Sequence, residues 1–289
     1  MANLKEIRQR IASVQTTRQV TSAMKLVSAA KLRKAQDAVI KIRPFAGKLA
    51  EILANLSETL QESGECAFAK SKGDGSRLLV ISINSNRGLC GAFNANVNKT
   101  TMQVIADNAA QGLTNVEVIA IGKNAYESAQ RNKLTVSEQN DIYNNIDFEH
   151  VSPIMDKVMD DFAAGKFDKV LMVYNSFKNA STQEVVTEQI LPVKFDDKNS
   201  NTNTNYIFEP SEQSLVDKIL PMTLRMQLYK AILNSYAAEH GARMTAMHKA
   251  TDNATELLRN LNLQYNKARQ AAITNEITEI VGGADALKE

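Results

Sequence analysis

The stretch from Met222 to Val281 contains no proline and a single glycine, Gly241. Nothing else in it breaks a helix, so the sequence predicts one continuous helix of about 90 Å. Such a helix is far longer than a small globular domain is wide. It therefore needs a partner along its length, and this need constrains the fold of the whole chain.

The second half of this stretch carries small and apolar residues at three- and four-residue spacing. They are Met247, Ala250, Ala254, Leu257, Leu261, Ala268 and Ala271, with Gln264 in the one gap. A seam of this period is typical of a coiled coil. Its alanines predict that the two helix axes approach closely.

The candidate partner is the N-terminal segment, because residues 2–43 contain neither glycine nor proline. Its apolar stripe comprises Leu4, Ile7, Ile11 and Val14 and resumes at Ala35, Ala38, Ile42 and Phe45. We expect Pro44 and Gly47 to kink or end this helix, although the helical period of apolar residues continues to Leu60.

Short apolar runs alternate with helical segments in the middle of the chain. The predicted strands are Arg77–Asn84, Val116–Ile121 and Lys169–Tyr174, and the predicted helices are Phe93–Gln111, Lys123–Lys133 and Glu149–Ala164. Val185–Val193 is expected to be extended, at a sheet edge. This alternation predicts parallel strands joined by βαβ crossovers.

The ends of these regions carry loop and cap signals. Residues 63–76 resemble a flexible linker, and residues 196–205 a solvated loop. Pro210 or Ser211 is expected to begin the last helix, and Gly282 with Gly283 to cap its end.

The predicted fold class is therefore α/β plus a long antiparallel α-helical coiled coil. The N-terminal helix (1–60) and the C-terminal helix (209–289) pair, and a small Rossmann-like βαβ domain (77–194) is inserted between them. The pairing is antiparallel because the chain leaves one end of the rod and must return to it.

The composition limits the classes of protein to which the chain can belong. Two cysteines are too few for a disulfide framework, and no apolar run approaches the length of a membrane span. The first 48 residues hold eleven Lys or Arg against Glu6 and Asp37, which indicates an acidic partner. A basic coiled-coil scaffold or nucleic-acid-binding protein is thus an alternative. The apolar seam and the lack of aromatics before Phe45 favour a protein-facing surface instead.

The chain contains only weak matches to nucleotide-binding and catalytic motifs. Gly88 and Gly91 form G-x-x-G and not a dinucleotide fingerprint, and the glycine expected five residues before Gly122 in a phosphate loop is absent. Cys90 lies in a predicted strand-to-helix turn, but no histidine is placed near it as a base. We predict no catalytic residue, no cofactor and no metal site. A nucleotide-binding α/β enzyme with helical arms remains the second alternative.

Three separated segments carry a family resemblance: residues 10–36, residues 85–94, and residues 242–254 with 265–284. In these motifs the chain resembles the γ subunits of bacterial F-type ATP synthases, in the same order and over its whole length. It departs from the family at Asn86 and Ala92, where an aspartate and a second glycine are usual. The regulatory cysteine pair of chloroplast relatives is also missing.

The resemblance implies a rotor shaft that transmits rotation between a proton-driven c ring and the catalytic β subunits during ATP synthesis or hydrolysis. The implied partners are three α and three β subunits, the ε subunit and the c ring, with no nucleic acid. The chain itself would be non-catalytic. It would lie peripherally at the cytoplasmic face of the bacterial inner membrane, held there only through the complex.

The resemblance also implies contact residues, each with an alternative as an ordinary surface residue. Met24 and Lys25 resemble the contact with an acidic β loop. The upper contacts with β correspond to Arg269, Gln270, Thr274 and Glu276, and the c-ring and ε side to Tyr206 and Glu209.

Overall fold

The computed structural model describes residues 4–63, 68, 75–180, 182–193 and 212–286. The elements in chain order are α1 (Leu4–Ser63), β1 (Arg77–Ile83), α2 (Phe93–Ala109), β2 (Asn115–Ile121), α3 (Lys123–Arg131), β3 (Thr135–Glu138), a 3₁₀ turn (Asp141–Asn144), α4 (Phe148–Ala163), β4 (Lys169–Phe177), β5 (Gln183–Leu191) and α5 (Glu212–Ala286). The predicted linker lies mostly outside these described residues, and the predicted loop 196–205 lies wholly outside them.

The strands form one sheet in the order β3-β2-β1-β4-β5. The pairings β3–β2, β2–β1 and β1–β4 are parallel, and β5 pairs antiparallel with β4 at one edge. The predicted βαβ architecture and edge strand are confirmed. The short strand β3 was not predicted, because four residues with one half-buried valine, Val136, carry no detectable period.

Helices cover both faces of the sheet. Leu78 and Val80 of β1 belong to a core with α2 and α3, whereas Leu79 and Ile81 face a core that includes α4 and part of α5. A strand buried on both sides reads as a continuous apolar run, which is why β1 was recognisable in the sequence.

The chain divides into two compact units, one made of residues 1–28 with 244–289 and the other of residues 29–243. In the first unit the two helices run antiparallel. The Arg8 side chain donates to the Tyr265 hydroxyl at 2.9 Å, the Thr21 and Thr251 hydroxyls lie 2.9 Å apart, and Lys25 Nζ is 3.4 Å from His248 Nδ1. The predicted antiparallel pairing of the chain ends is therefore present in this unit.

The seam of α1 is a regular heptad pattern of buried and half-buried residues. In the first unit it consists of Leu4, Ile7, Ile11, Val14, Arg18, Thr21, Lys25 and Ser28. The heptad pattern therefore continues through polar residues, which a pattern of apolar residues alone does not include. In the second unit the α1 stripe includes Ala35 and Ala46, whereas Phe45, predicted to lie on it, is 44% exposed.

The seam predicted for α5 needs a correction. Leu257 is 47% exposed, and Gln264 and Ala271 are exposed too. Met247, Ala254, Leu261 and Ala268 of the predicted set are buried or half-buried, and the heptad pattern is completed by Thr251, Leu258 and Tyr265, while Ala250 beside it is half-buried too. Spacings of four and three alternate strictly along this heptad pattern, so the gap assigned to Gln264 does not exist. Tyr265 occupies the seam position next to Gln264, and its hydroxyl accepts a hydrogen bond from Arg8.

The predicted end of α1 at Pro44 and Gly47 is wrong, as is the predicted end of α5 at Gly282 and Gly283, while a kink at Pro44 stays a prediction. α1 continues through Pro44 to Ser63, and α5 continues through Gly282 and Gly283 to Ala286. Proline removes one backbone hydrogen bond and a glycine costs about 1 kcal/mol, and neither amount outweighs the hydrogen bonds on both sides. Leu49, beyond Pro44, is buried, so packing resumes past the proline.

Candidate functional site

The most elaborate polar arrangement in the second unit is built around the loop between β1 and α2, residues 84–92, here called the β1–α2 loop. Leu89 has a φ of +63° and Gly91 a φ of +61°. Leucine rarely adopts this region, and such strain costs about 1–3 kcal/mol unless the surroundings enforce it. Leu89 is also 65% exposed, so its own side chain does not hold the loop in place.

Hydrogen bonds inside the loop supply part of that enforcement. The Ser85 hydroxyl donates to the Arg87 carbonyl at 2.7 Å, and the Ser85 amide donates to the side chain of Asn94 at 3.1 Å. The Asn94 side-chain amide in turn donates to Cys90 Sγ at 3.3 Å. The loop is therefore tied to the first turn of α2.

Cys90 is buried in this loop. Burial raises the pKa of its thiol, which is the wrong direction for a reactive nucleophile. Its apolar neighbours are Phe93, Ala238 and Ala242. Cys90 therefore serves as a small apolar contact between the loop and α5.

Arg243 of α5 binds the loop from outside. Its Nη2 donates to the carbonyl oxygens of Arg87 at 2.9 Å and Gly88 at 3.2 Å, and its Nε to the Gly88 carbonyl at 3.3 Å. Its Nη1 forms an ion pair with Glu239 at 2.7 Å, and both side chains are only 7% exposed. We call Glu239, Arg243 and the two carbonyls the Arg243 clamp.

Buried charges need such partners. Burial raises the pKa of the Glu239 carboxyl, and Arg243 opposes that rise. Breaking a buried ion pair leaves a charge without compensation and costs about 3–5 kcal/mol. The clamp is therefore an interaction whose members depend on one another.

His240 completes the cluster as a neutral group. Burial, with Arg243 and Lys31 nearby, lowers its pKa from 6.5 to about 3. Arg243 Nη1 lies 3.3 Å from Nδ1, which must then accept, so Nε2 carries the proton. That Nε2 is buried without a hydrogen-bond partner among the described residues.

Asn86 explains one departure from the family motif. Its side-chain oxygen accepts from the Lys123 amide at 2.9 Å, and its side-chain amide donates to the Asn140 carbonyl at 3.1 Å. An aspartate would keep the first bond and lose the second. Ala92, the other departure, has a φ of −83°, so its backbone does not require glycine.

The loop lies at the carboxyl end of β1, where open α/β sheets commonly bind ligands. Here the two loop carbonyls accept from Arg243. A Cβ on Gly122, at the end of β2, would lie 2.2 Å from the Asn84 carbonyl oxygen, so that turn packs tightly against β1. The geometry suits attachment of a helix to the sheet.

Other contacts join α5 to the sheet before Arg243. Leu224, Leu228 and Ile232 are buried in the core of the α/β unit. Arg225 pairs with Asp156 of α4 at 2.5 Å, and Gln227 donates to Glu188 of β5 at 3.2 Å. We call residues 224–243 the seat of α5.

The structure places most of the predicted contact residues on helix surfaces. Met24 and Lys25 are half-buried on α1, and Lys25 lies beside His248. The four upper positions, Arg269, Gln270, Thr274 and Glu276, are exposed on α5. Tyr206 and Glu209 lie outside the described residues.

Sequence reasoning missed the Arg243 clamp. A spacing of four between Glu239 and Arg243 was visible, as was the position of Arg243 at the start of a family motif. What they bind was not visible, because the loop carbonyls lie more than 150 residues away in the chain.

Within the described ranges, no group of three or more His, Cys, Asp or Glu side chains is arranged to hold a metal ion. None of the helices searched there has both the length and the apolar character needed to cross a membrane.

Comparison with known proteins supplies the family. A family profile described as ATP synthase matches residues 3–287. The ATP synthase gamma chain of Flavobacterium psychrophilum is 52% identical over 289 residues, covering 100% of both chains. That of Geobacter sp. strain M21 is 44% identical over 291 residues, again with 100% of both chains covered.

Solved structures agree with this result. The central stalk and c-ring structure of the Tetrahymena thermophila mitochondrial ATP synthase contains a chain similar to this one, with a TM-score of 0.59 and 25% identity, covering 80% of this chain and 99% of that chain. A chain of the Euglena gracilis mitochondrial enzyme shares the fold, with a TM-score of 0.69 at 21% identity and coverage of 98% and 94%. Full-length similarity at this level, in sequence and in fold, means that the chain belongs to the ATP synthase gamma chain family.

Proposed function

We propose that this chain is the central rotor shaft of a bacterial F-type ATP synthase, transmitting rotation between the c ring and the catalytic β subunits. The observation that carries the proposal is α5, one helix from Glu212 to Ala286. Its residues 224–243 are built into the α/β unit, and its residues beyond Met244 pair with the start of α1. A single helix thus contributes to both units.

The chain works as a non-catalytic subunit. Support comes from the β1–α2 loop, whose carbonyls bind Arg243, and from the raised pKa of the Cys90 thiol. Residues 1–60 and 209–289 form the shaft, and residues 77–194 form the domain on the ring side.

The proposed partners are three α subunits, three β subunits, the ε subunit and the c ring. Support comes from the bacterial relatives, which are ATP synthase gamma chains, and from the similar Tetrahymena chain, which belongs to an assembly of central stalk and c ring. Membership of this family leaves nothing in favour of the nucleic-acid-binding alternative. The chain acts at the cytoplasmic face of the bacterial inner membrane, attached only through the complex.

The contacts with β are assigned to two surfaces. Met24 and Lys25 meet an acidic β loop, and Arg269, Gln270, Thr274 and Glu276 meet the upper part of β. Exposure of the latter four on α5 supports their availability to a partner. Tyr206 and Glu209 are proposed for the c-ring and ε side.

Reconstitution tests the function. The α, β and ε subunits would be assembled with and without this chain on c-ring-containing membrane sectors in liposomes, and ATP hydrolysis and proton uptake would be followed together. We expect ATP-driven proton uptake only when the chain is present. Equal uptake without it, or nucleotide hydrolysis by the purified chain alone, would refute the proposal.

Cysteine cross-linking tests the contact surfaces. A cysteine at position 270 or 274 should cross-link to β in the assembled complex in a nucleotide-dependent yield. A cysteine at the buried seam position 261 is the matched control and should not react. Absence of any β product from both exposed positions would remove them from the interface.

A further inference from the structure

The guanidinium of Arg243 is divided between two tasks. Its Nη1 pairs with Glu239 on the same helix, while its Nη2 and Nε donate to the Arg87 and Gly88 carbonyls of the β1–α2 loop. Because the loop is held through backbone oxygens, Arg243 fixes the path of the loop and not its side chains.

The loop depends on such an anchor. Its tip residue, Leu89, has a positive φ and a side chain that is 65% exposed. At the contact with α5 the helix presents the small residues Ala238 and Ala242 to Cys90 and Phe93. Small residues permit close approach but contribute little burial, so most of the directional hold comes from the guanidinium.

Arg243 also occupies a particular place along α5. The core contacts of the helix with the sheet, Leu224, Leu228 and Ile232, all precede it. The next residue, Met244, begins the part of α5 that belongs to the other compact unit. Arg243 is therefore the last anchor of the seat.

Lysine is a poor substitute at such a position. Its ammonium is a point charge that can neutralise Glu239, but it lacks the planar fork that also reaches two carbonyl oxygens. This difference separates the ion pair from the hold on the loop, and it makes the two roles of Arg243 experimentally distinguishable.

We propose that Arg243 is a positioning residue for energy coupling: by fixing the β1–α2 loop to α5, it makes the α/β domain and the seat of α5 turn together. The inference rests on the proposed rotor function. Without the clamp, part of the applied torque bends the loop and the end of the seat instead of turning the helix.

The test compares Arg243→Lys and Arg243→Ala with wild type in the reconstituted complex, with the exposed Arg259→Ala on the same helix as control. We expect Arg243→Lys to assemble and to hydrolyse ATP at near the wild-type rate. Proton uptake per ATP hydrolysed should fall by about threefold, which lies at the lower end of the changes in coupling that mutations along a coupling network cause. Arg259→Ala should match wild type.

Hydrogen exchange of the complex supplies the readout that links the loss to the loop. Amides of residues 86–92 should exchange about tenfold faster in Arg243→Lys, while those of β1 and β4 stay unchanged. Wild-type coupling or unchanged loop exchange in Arg243→Lys overturns the inference. If Arg243→Ala fails to assemble, Arg243→Lys alone decides. Coupling by the wild-type chain tests the rotor function separately, because its failure would be seen before any variant is made.

Discussion

Leu258 is 8% exposed, whereas Leu257, directly before it on α5, is 47% exposed. Leu258 stands one heptad from both Thr251 and Tyr265, each of which hydrogen-bonds to α1. Two identical neighbouring side chains thus have opposite roles, and only one belongs to the seam.

Leu258→Asp should destabilise the helix pair strongly, because it removes a buried aliphatic side chain and buries a charge. We expect a loss of about 3–5 kcal/mol in the free energy of unfolding. Leu257→Asp is the matched control and should change it by less than about 0.5 kcal/mol. Thermal unfolding of the two purified variants followed by circular dichroism compares them. Equal losses would mean that the seam has been assigned to the wrong face.

In the assembled enzyme, Leu258→Asp and Leu257→Asp should differ in the coupling of proton uptake to ATP hydrolysis. Leu258→Asp should lower proton uptake per ATP hydrolysed before it abolishes hydrolysis, because the weakened helix pair yields under torque. Simultaneous measurement of both rates checks this order. Full proton-coupled synthesis by Leu258→Asp would contradict it.

The hydroxyls of Thr21 and Thr251 form a polar layer in the seam. Each also bonds a carbonyl of its own helix, Thr21 to Arg18 at 3.1 Å and Thr251 to Met247 at 2.8 Å. One hydroxyl hydrogen must therefore be shared, and the coupling between them should be modest. A double-mutant cycle with valine should give about 0.5–1.5 kcal/mol. The cycle of Thr21 with the exposed Thr255 is the control, and a similar value there would contradict a direct contact.

The lowered pKa of His240 predicts that the free energy of unfolding depends on pH. Its pKa is lowered from 6.5 to about 3 in the folded chain, so below pH 6.5 the unfolded chain binds a proton that the folded chain does not. Stability contributed at this position is therefore lost as the pH falls from about 6.5 towards 3, by up to about 1.4 kcal/mol per pH unit.

Comparison with His240→Gln isolates this effect from the titrating carboxylates. The free energy of unfolding of wild type, relative to that of His240→Gln, should fall steadily as the pH is lowered from 7.5 to 4.5, as measured by urea unfolding. His248→Asn is the control, because the His248 side chain is 57% exposed. A constant difference between wild type and His240→Gln across this range would show that His240 does not stay neutral.

Substitution by alanine should have opposite effects on stability at Gly122 and at Gly47. Gly122 has a φ of +98° and no space for a Cβ, which would lie 2.2 Å from the Asn84 oxygen. Gly122→Ala should cost about 3 kcal/mol or more. Gly47 lies within α1 with nothing within 4 Å of an added Cβ, so Gly47→Ala should stabilise by up to about 1 kcal/mol. Denaturation midpoints of the two variants should move in opposite directions.

Most elements were predictable because their signals are local. Strands β1 and β4 contain apolar runs buried on both faces, β2 is a mostly apolar run, and the long helices follow from the scarcity of breakers. The seam was predicted less well. Apolar identity pointed to Leu257 and skipped Tyr265, whereas burial depends on the face that meets α1.

The sequence by itself determined the helix–sheet–helix order, the antiparallel return of the chain and the family, since composition, period and motif are properties of neighbouring residues. The tertiary structure decided the register of the seam, the passage of α1 through Pro44 and the Arg243 clamp. These depend on partners far apart in the chain, such as Arg243 and the Arg87 carbonyl. Which distant groups meet is set by packing, and a local pattern does not encode it.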